Sequence, residues 1–518
     1  MARPLALSAS IATPSGAVRA GAAAGVLLAL AALTLWPLAV VIAHGALSPG
    51  AWPVALAART AVVAVASTLL VMIPAVPLAA TILRVDVPGR RTIWRTFRLA
   101  GLIPPFIAPL ALLALAGPHG VLLPDALGGS LAAIVAGQAL AYLPSAVVLA
   151  ARALAAIPVE LEQAAEVLGA RRLTVVRRVT LALAGPRLVS AALGVLGLCL
   201  SDVASPLLLG GDRSLLSTAV VAAAGLGPEN AARSALTLGV LAAGAALGGA
   251  VWRQAGFAAV GLPALPRLDR PARPAARRIA ASIGWAAVVA LIAPLTIVVA
   301  VSLGHWSALG AGAVLGESVL LGLGAALVGV TLAVTTSRLV ERRGGAMGRA
   351  AALLARVPAI GPGLVAAVGY ATATGAPTTG PAALGMAVLI VAAWELPATA
   401  RVAGAALVGA DRSLEDAAAS LGASGATTLR RIVAPALRPV AVPVAAHLFA
   451  AGVLAVGTVV VLTGVRPGLG AISLLTLATA GDAGAACAFA AALVALAGGA
   501  LVLGRAIGAR RLDPTMLA

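Results

Sequence analysis

The chain has 518 residues, 61% of them hydrophobic and only 10% charged, with a net charge of +19 and a mean hydropathy of +1.07. No soluble domain can keep that much apolar surface from water. A membrane β-barrel is disfavoured as well, because its strands alternate polar and apolar residues instead of running apolar for about 20 positions.

Twelve apolar runs predict twelve membrane helices. Six fall at 22–44, 61–83, 99–117, 130–151, 187–210 and 234–252, and six more at 280–303, 317–337, 352–374, 381–400, 439–464 and 484–504. Pro and Gly recur inside these runs, which membrane helices tolerate better than soluble ones. The first run is long enough to span and no small-residue cleavage site clearly follows it, so no cleavable signal peptide is expected. Cys199 and Cys487 both fall within predicted spans and read as small core residues.

Every basic residue is Arg; there is no Lys. A phosphate-binding loop of the form G-x-x-x-x-G-K-[ST] is therefore absent from this chain, as is Schiff-base chemistry on Lys. With the N-terminus placed in the cytoplasm, only Arg59, Arg213, Arg233 and Arg466 of the 36 basic residues fall outside. The rest collect in inner segments such as "RVDVPGRRTIWRTFR" (84–98), "RLDRPARPAARR" (267–278) and "RLVERRGGAMGR" (338–349). This is a positive-inside pattern, which places both termini in the cytoplasm and explains the charge without a nucleic-acid partner.

The stretch "LEQAAEVLGARRLTVVRR" (161–178) recurs as "LEDAAASLGASGATTLRR" (414–431), 253 positions later. At the same offset Ile107 and Pro109 fall on Ile360 and Pro362, Leu143-Pro144 on Leu396-Pro397, and Thr174, Arg177, Arg178 and Pro186 on Thr427, Arg430, Arg431 and Pro439. The reading is an all-α membrane protein of two parallel six-helix repeats, 1–253 and 279–518, joined by a cytoplasmic linker at 254–278. In each repeated loop, 160–182 and 413–435, an acidic residue opens a short helix where the dipole favours it. Two Ala residues permit close approach, and a Gly ends the helix in a left-handed cap. The candidate docking residues are Glu162, Gln163, Ala164, Ala165 and Gly169, with Glu415, Asp416, Ala417, Ala418 and Gly422. A plain re-entry helix accounts for one copy but not for matched spacing in both halves.

These loops resemble the "EAA…G" motif between the fourth and fifth spans of ATP-binding-cassette importer permeases. Gln163 and Asp416 stand where that family has the Glu directly before Ala-Ala, and Ala182 replaces the Pro that the second copy keeps at Pro435. The resemblance implies a type I importer permease in the cell (inner) membrane, whose two loops are coupling helices seated on two cytoplasmic ATPase subunits. It also implies an extracytoplasmic solute-binding protein that delivers substrate, and ATP bound by the partner subunits rather than by this chain. Fusion of two permease units is similar to the iron(III), thiamine and aminoethylphosphonate type.

The stretch "SDVASPLLLGGDRSLLSTAV" (201–220) resembles the "D-F-x-x-P-x-x-L-G-G" pattern of iron-type permeases, and 455–489 also looks closest to that group. Iron(III) is the favoured substrate, with thiamine, aminoethylphosphonate or polyamine as alternatives. Charged residues within spans are functional candidates by default. Asp202 and His447 are candidates for the substrate path, whereas Glu395 is expected to pair with Arg401. His44, His119 and His305 lie in or beside outer loops, and with His447 they form no metal-ligand spacing. A secondary transporter of two six-span halves is the competing class; it would need coupled ion sites near the midplane.

Overall fold

The computed structural model describes residues 16–48, 50–118, 120, 122–123, 126, 129–254, 274–310, 313–375, 380–409, 412–463 and 469–508. Most of the expected linker (255–273), His119 and Arg466 lie outside them. Every regular element among the described residues is a helix. In chain order these are α1 (Gly16–Thr34), α2 (Trp36–Leu47), α3 (Val54–Arg84), α4 (Arg90–Ala100), α5 (Ile107–Ala116), α6 (Leu131–Ala155), α7 (Val159–Val167), α8 (Arg172–Val175), α9 (Leu181–Ser201), α10 (Ala204–Leu209), α11 (Leu216–Gly225) and α12 (Pro228–Gln254). There follow α13 (Pro274–Ser302), α14 (Ala313–Arg338), α15 (Gly345–Leu354), α16 (Gly363–Thr374), α17 (Pro381–Trp394), α18 (Leu396–Gly409), α19 (Arg412–Ser420), α20 (Gly425–Thr428), α21 (Ala434–Val453), α22 (Gly457–Thr463), α23 (Gly470–Thr479) and α24 (Ala483–Gly508).

Nine helical stretches among the described residues are long and apolar enough to cross a membrane, or eleven if two bent pairs each count as one span. The expected third span, 99–117, is not one helix. Pro104 and Pro105 separate α4 from α5: each disfavours the helical conformation at the residue before it, and two in succession end the helix here. At 10 residues, α5 rises only about 15 Å, half the hydrocarbon thickness. The corresponding segment of the second half bends by 100° between Ala359 and Gly363, where Gly361-Pro362 interrupts the helix. The tenth expected span, 381–400, bends by 56° between α17 and α18. The fifth and eleventh begin earlier than expected, at Leu173 and Leu429, and break before the short helices α10 and α22.

Two long-range packings tie the early and late parts of the chain together. α2 lies against α16 and α12, and α13 lies against α4 and α5. Gly369 makes the first crossing possible: a Cβ there would sit 2.0 Å from the Pro37 carbonyl oxygen. The Tyr370 hydroxyl donates to the Leu33 carbonyl at 2.9 Å, at the break between α1 and α2. On the other side Trp285 Nε1–H donates to the Pro88 carbonyl at 3.3 Å, and Arg277 pairs with Asp86 at 3.4 Å. A continuous buried cluster, including Leu110, Ile134, Leu238, Leu364, Ile390 and Leu493, joins elements from both parts of the chain. Three buried hydroxyls are satisfied within their own helix: Thr34, Thr60 and Thr68 donate to the carbonyls of Leu30, Leu56 and Ala64, as apolar surroundings favour.

Candidate functional site

The two repeated loops have the same local structure. α7, α8 and a π-turn at Val176–Thr180 precede α9; α19, α20 and a π-turn at Leu429–Val433 precede α21. Each pair of elements starts 253 positions apart. Gly169 and Gly422 have φ of +84° and +77°, the left-handed cap that a Cβ disfavours. Ala170 N–H reaches the Ala165 carbonyl at 3.0 Å and Gly169 N–H the Glu166 carbonyl at 2.9 Å. Ala423 N–H to Ala418 O and Gly422 N–H to Ala419 O repeat this at 2.9 and 3.0 Å. These are Schellman pairs, and they fix why the second Ala and the Gly keep their spacing: one supplies the carbonyl, the other the turn.

The loops expose apolar side chains. Leu168 is 88% exposed and Leu421, its equivalent, 87%. Gln163, Ala164, Asp416 and Ala417 are exposed, while Ala165 and Ala418 are half-buried. Neither leucine is among the docking candidates that the sequence points to. The signal was present in the Leu-Gly pair shared by "EVLGA" and "ASLGA": a leucine next to a left-handed cap projects from the helix end.

Glu162 and Glu415 point inward. Glu162 meets Arg84 Nε at 2.9 Å and accepts from the Thr180 hydroxyl at 2.8 Å. Arg84 Nη2 also donates to the Leu154 carbonyl at 3.2 Å, at the end of α6. In the second loop Glu415 meets Arg342 at 3.0 Å and Arg338 at 3.3 Å. Arg342 Nη2 donates to the Leu407 carbonyl at 3.1 Å, at the end of α18. Glu162 and Glu415 are 15% and 16% exposed.

Asp202 lies at the break between α9 and α10, not inside a helix. Its Oδ1 accepts from the backbone N–H of Ala204 at 3.0 Å and of Ser205 at 3.3 Å, so it caps the short helix. Nearby, the Gln138 amide donates to the Cys199 carbonyl at 3.0 Å and accepts from Ser67 at 2.7 Å, closing the same break. Asp202→Ala should therefore cost about 1 kcal/mol, as loss of a helix cap does, whereas Asp202→Asn keeps the acceptor and should be nearly neutral. Thermal unfolding of the two purified variants measures this, and equal losses would remove the capping role.

Glu395 does not pair with Arg401. Its Oε2 lies 3.0 Å from His447 Nε2, while Arg401 Nε donates to the Pro397 carbonyl. The bend between α17 and α18 turns Glu395 toward α21, where His447 sits. His447 is thus not a lone imidazole but half of a carboxylate–imidazole pair.

A cavity of about 580 Å³ opens between the ends of α5, α10 and α23, lined by residues including Gly117, Gly129, Leu209, Gly211, Thr479 and Gly481. Gly129 adjoins the start of α6 and the first loop follows its end. The 25 residues of α6 put the cavity and the loop about 37 Å apart along that helix, a distance that crosses a bilayer.

No family model matches the chain. It is 27% identical to a protein of Sinorhizobium fredii described as "Probable ABC transporter permease protein", over 55% of this chain and 56% of that one. It is 36% identical over 130 residues to a "Probable molybdenum ABC transporter permease protein" of Haloferax volcanii, covering 25% of this chain and 48% of the relative. The chain spans about half the length of these curated relatives.

Proposed function

We propose that the chain is the membrane permease subunit of an ATP-binding-cassette importer. It would form the translocation path from two parallel halves of six membrane segments each, in the cell (inner) membrane with both termini cytoplasmic. The observation that carries this reading is the duplicated loop, with its repeated cap and its exposed leucine, beside the likeness to two ABC permeases. The loops seat on two ATPase subunits, which bind and hydrolyse ATP. Closure of those subunits favours one global state of the permease over the other, and alternate access follows from that difference in binding energy. A solute-binding protein delivers substrate to the outer face, where the cavity between α5, α10 and α23 receives it.

Two substrate readings stand. Iron(III) follows from the resemblance of 201–220 and 455–489 to iron-type permeases. Molybdenum follows from the name of the Haloferax volcanii relative. Cross-linking in the native membrane, followed by purification and identification of the bound proteins, tests the whole reading. An ATPase carrying a phosphate-binding loop, together with an external binding protein, is the expected result, and the ligand of that binding protein decides the substrate. The competing secondary transporter is favoured by one observation, the Glu395–His447 pair within the membrane segments. Substrate uptake that continues after ATP is depleted would choose it.

A further inference from the structure

The repeat relates almost every loop element at one offset, yet the cations that hold the two glutamates break it. The position equivalent to Arg84 is Ser337; the second half holds its glutamate with Arg338 at the end of α14 and with Arg342, inside the π-turn Leu339–Arg343, and it is Arg342 that also reaches a carbonyl. Despite the different position, the contacts agree. Arg84 joins Glu162 to the Leu154 carbonyl, and Arg342 joins Glu415 to the Leu407 carbonyl. Leu407 is the equivalent of Leu154 at the 253 offset. The same clamp is thus built twice from non-equivalent positions, so its geometry is not a passive copy of the repeat.

We infer that Glu162 and Glu415 are positioning residues that tie each loop to two other membrane segments of its own half, and are not contacts for the partner. The inference rests on the coupling reading above. Each clamp spans three elements: α3, α6 and α7 in the first half; the end of α14 with its π-turn, α18 and α19 in the second. A guanidinium suits the task because its fork can serve a carboxylate and a carbonyl at once. Motion of a docked loop is then passed to α3 and α6, or to α14 and α18, and not only along the chain into α9 or α21. The partner instead meets the exposed face that carries Leu168 or Leu421.

The test uses the full chain in inside-out vesicles, with Glu415→Gln, Arg342→Gln and the double variant, and equal membrane insertion as the control. In the chain without its partner, chymotryptic cleavage after Leu421 reads opening of the loop. Glu415→Gln, which loses both Arg342 and Arg338, should speed cleavage about tenfold; Arg342→Gln, which leaves Arg338 on the carboxylate, should speed it less, and the double variant no more than Glu415→Gln, because the Arg342 contact is already lost there. With the partner present, the ATPase subunit should co-purify with Glu415→Gln as with the unaltered chain, while transport per ATP hydrolysed falls about tenfold. Unchanged cleavage in both single variants would overturn the clamp. So would loss of co-purification in Glu415→Gln, because that carboxylate would then belong to the docking face. Failure of the unaltered chain to retain any ATPase would count against the importer reading alone, since the cleavage assay needs no partner.

Discussion

Leu421→Asp should leave the chain folded and inserted while abolishing ATPase docking. The side chain is 87% exposed, and the helix end behind it is already satisfied by its own backbone bonds. A substitution at such a site costs the fold no more than about 0.5 kcal/mol. An apolar anchor at the centre of an interface is worth about 2 kcal/mol or more, so transport should fall at least about 25-fold. Leu168→Asp makes the same test in the first loop, and the pair together measures whether the two loops contribute equally. Gly422→Ala provides a contrast: its Cβ would meet nothing within 4 Å, so it adds only the left-handed strain of about 1–2 kcal/mol. Transport rates, with membrane-protein level as control, decide the matter. Full activity in the Leu168→Asp/Leu421→Asp double variant would rule these loops out as the docking sites.

Gly369→Ala should destabilise the whole bundle. The added Cβ would lie 2.0 Å from the Pro37 carbonyl oxygen and 2.6 Å from its carbon, and neither is a flexible side-chain end. α2 and α16 must separate, which strains the Tyr370–Leu33 hydrogen bond and opens the buried contacts around Val368 and Ala371. The expected loss is about 3 kcal/mol. Gly385→Ala on α17 is the matched control, since nothing lies within 4 Å of its Cβ. Yield and thermal stability in detergent read both variants, and an unchanged midpoint for Gly369→Ala would mean that α2 does not cross here.

Much of the candidate site was legible in the sequence because its signals are local. The acidic helix start, the Ala pair and the capping Gly are each set by backbone geometry within about one or two turns. The repeat made them visible twice. Leu168 and Leu421 were missed because exposure is not written in a residue's type: an apolar residue in an apolar chain is assumed to be buried. Glu395 and Arg401 both lie near the inner end of the tenth expected segment, 381–400, and that nearness in sequence is all that points to a pair between them. The bend between Trp394 and Leu396 turned Glu395 to another partner.

What the sequence alone determined is the helical membrane class, most of the apolar segments and the two matched loops. Hydropathy and backbone caps act over a few residues, so composition and spacing carry them. Only the tertiary structure decided the packing of α2 on α16 and of α13 on α4 and α5, the breaks that divide the third, fifth, tenth and eleventh segments, and the source of each clamping guanidinium. Arg84 and Arg342 occupy non-equivalent positions yet bind equivalent carbonyls. A long side chain can reach one target from several backbone sites, and which site serves is set by how the helices pack.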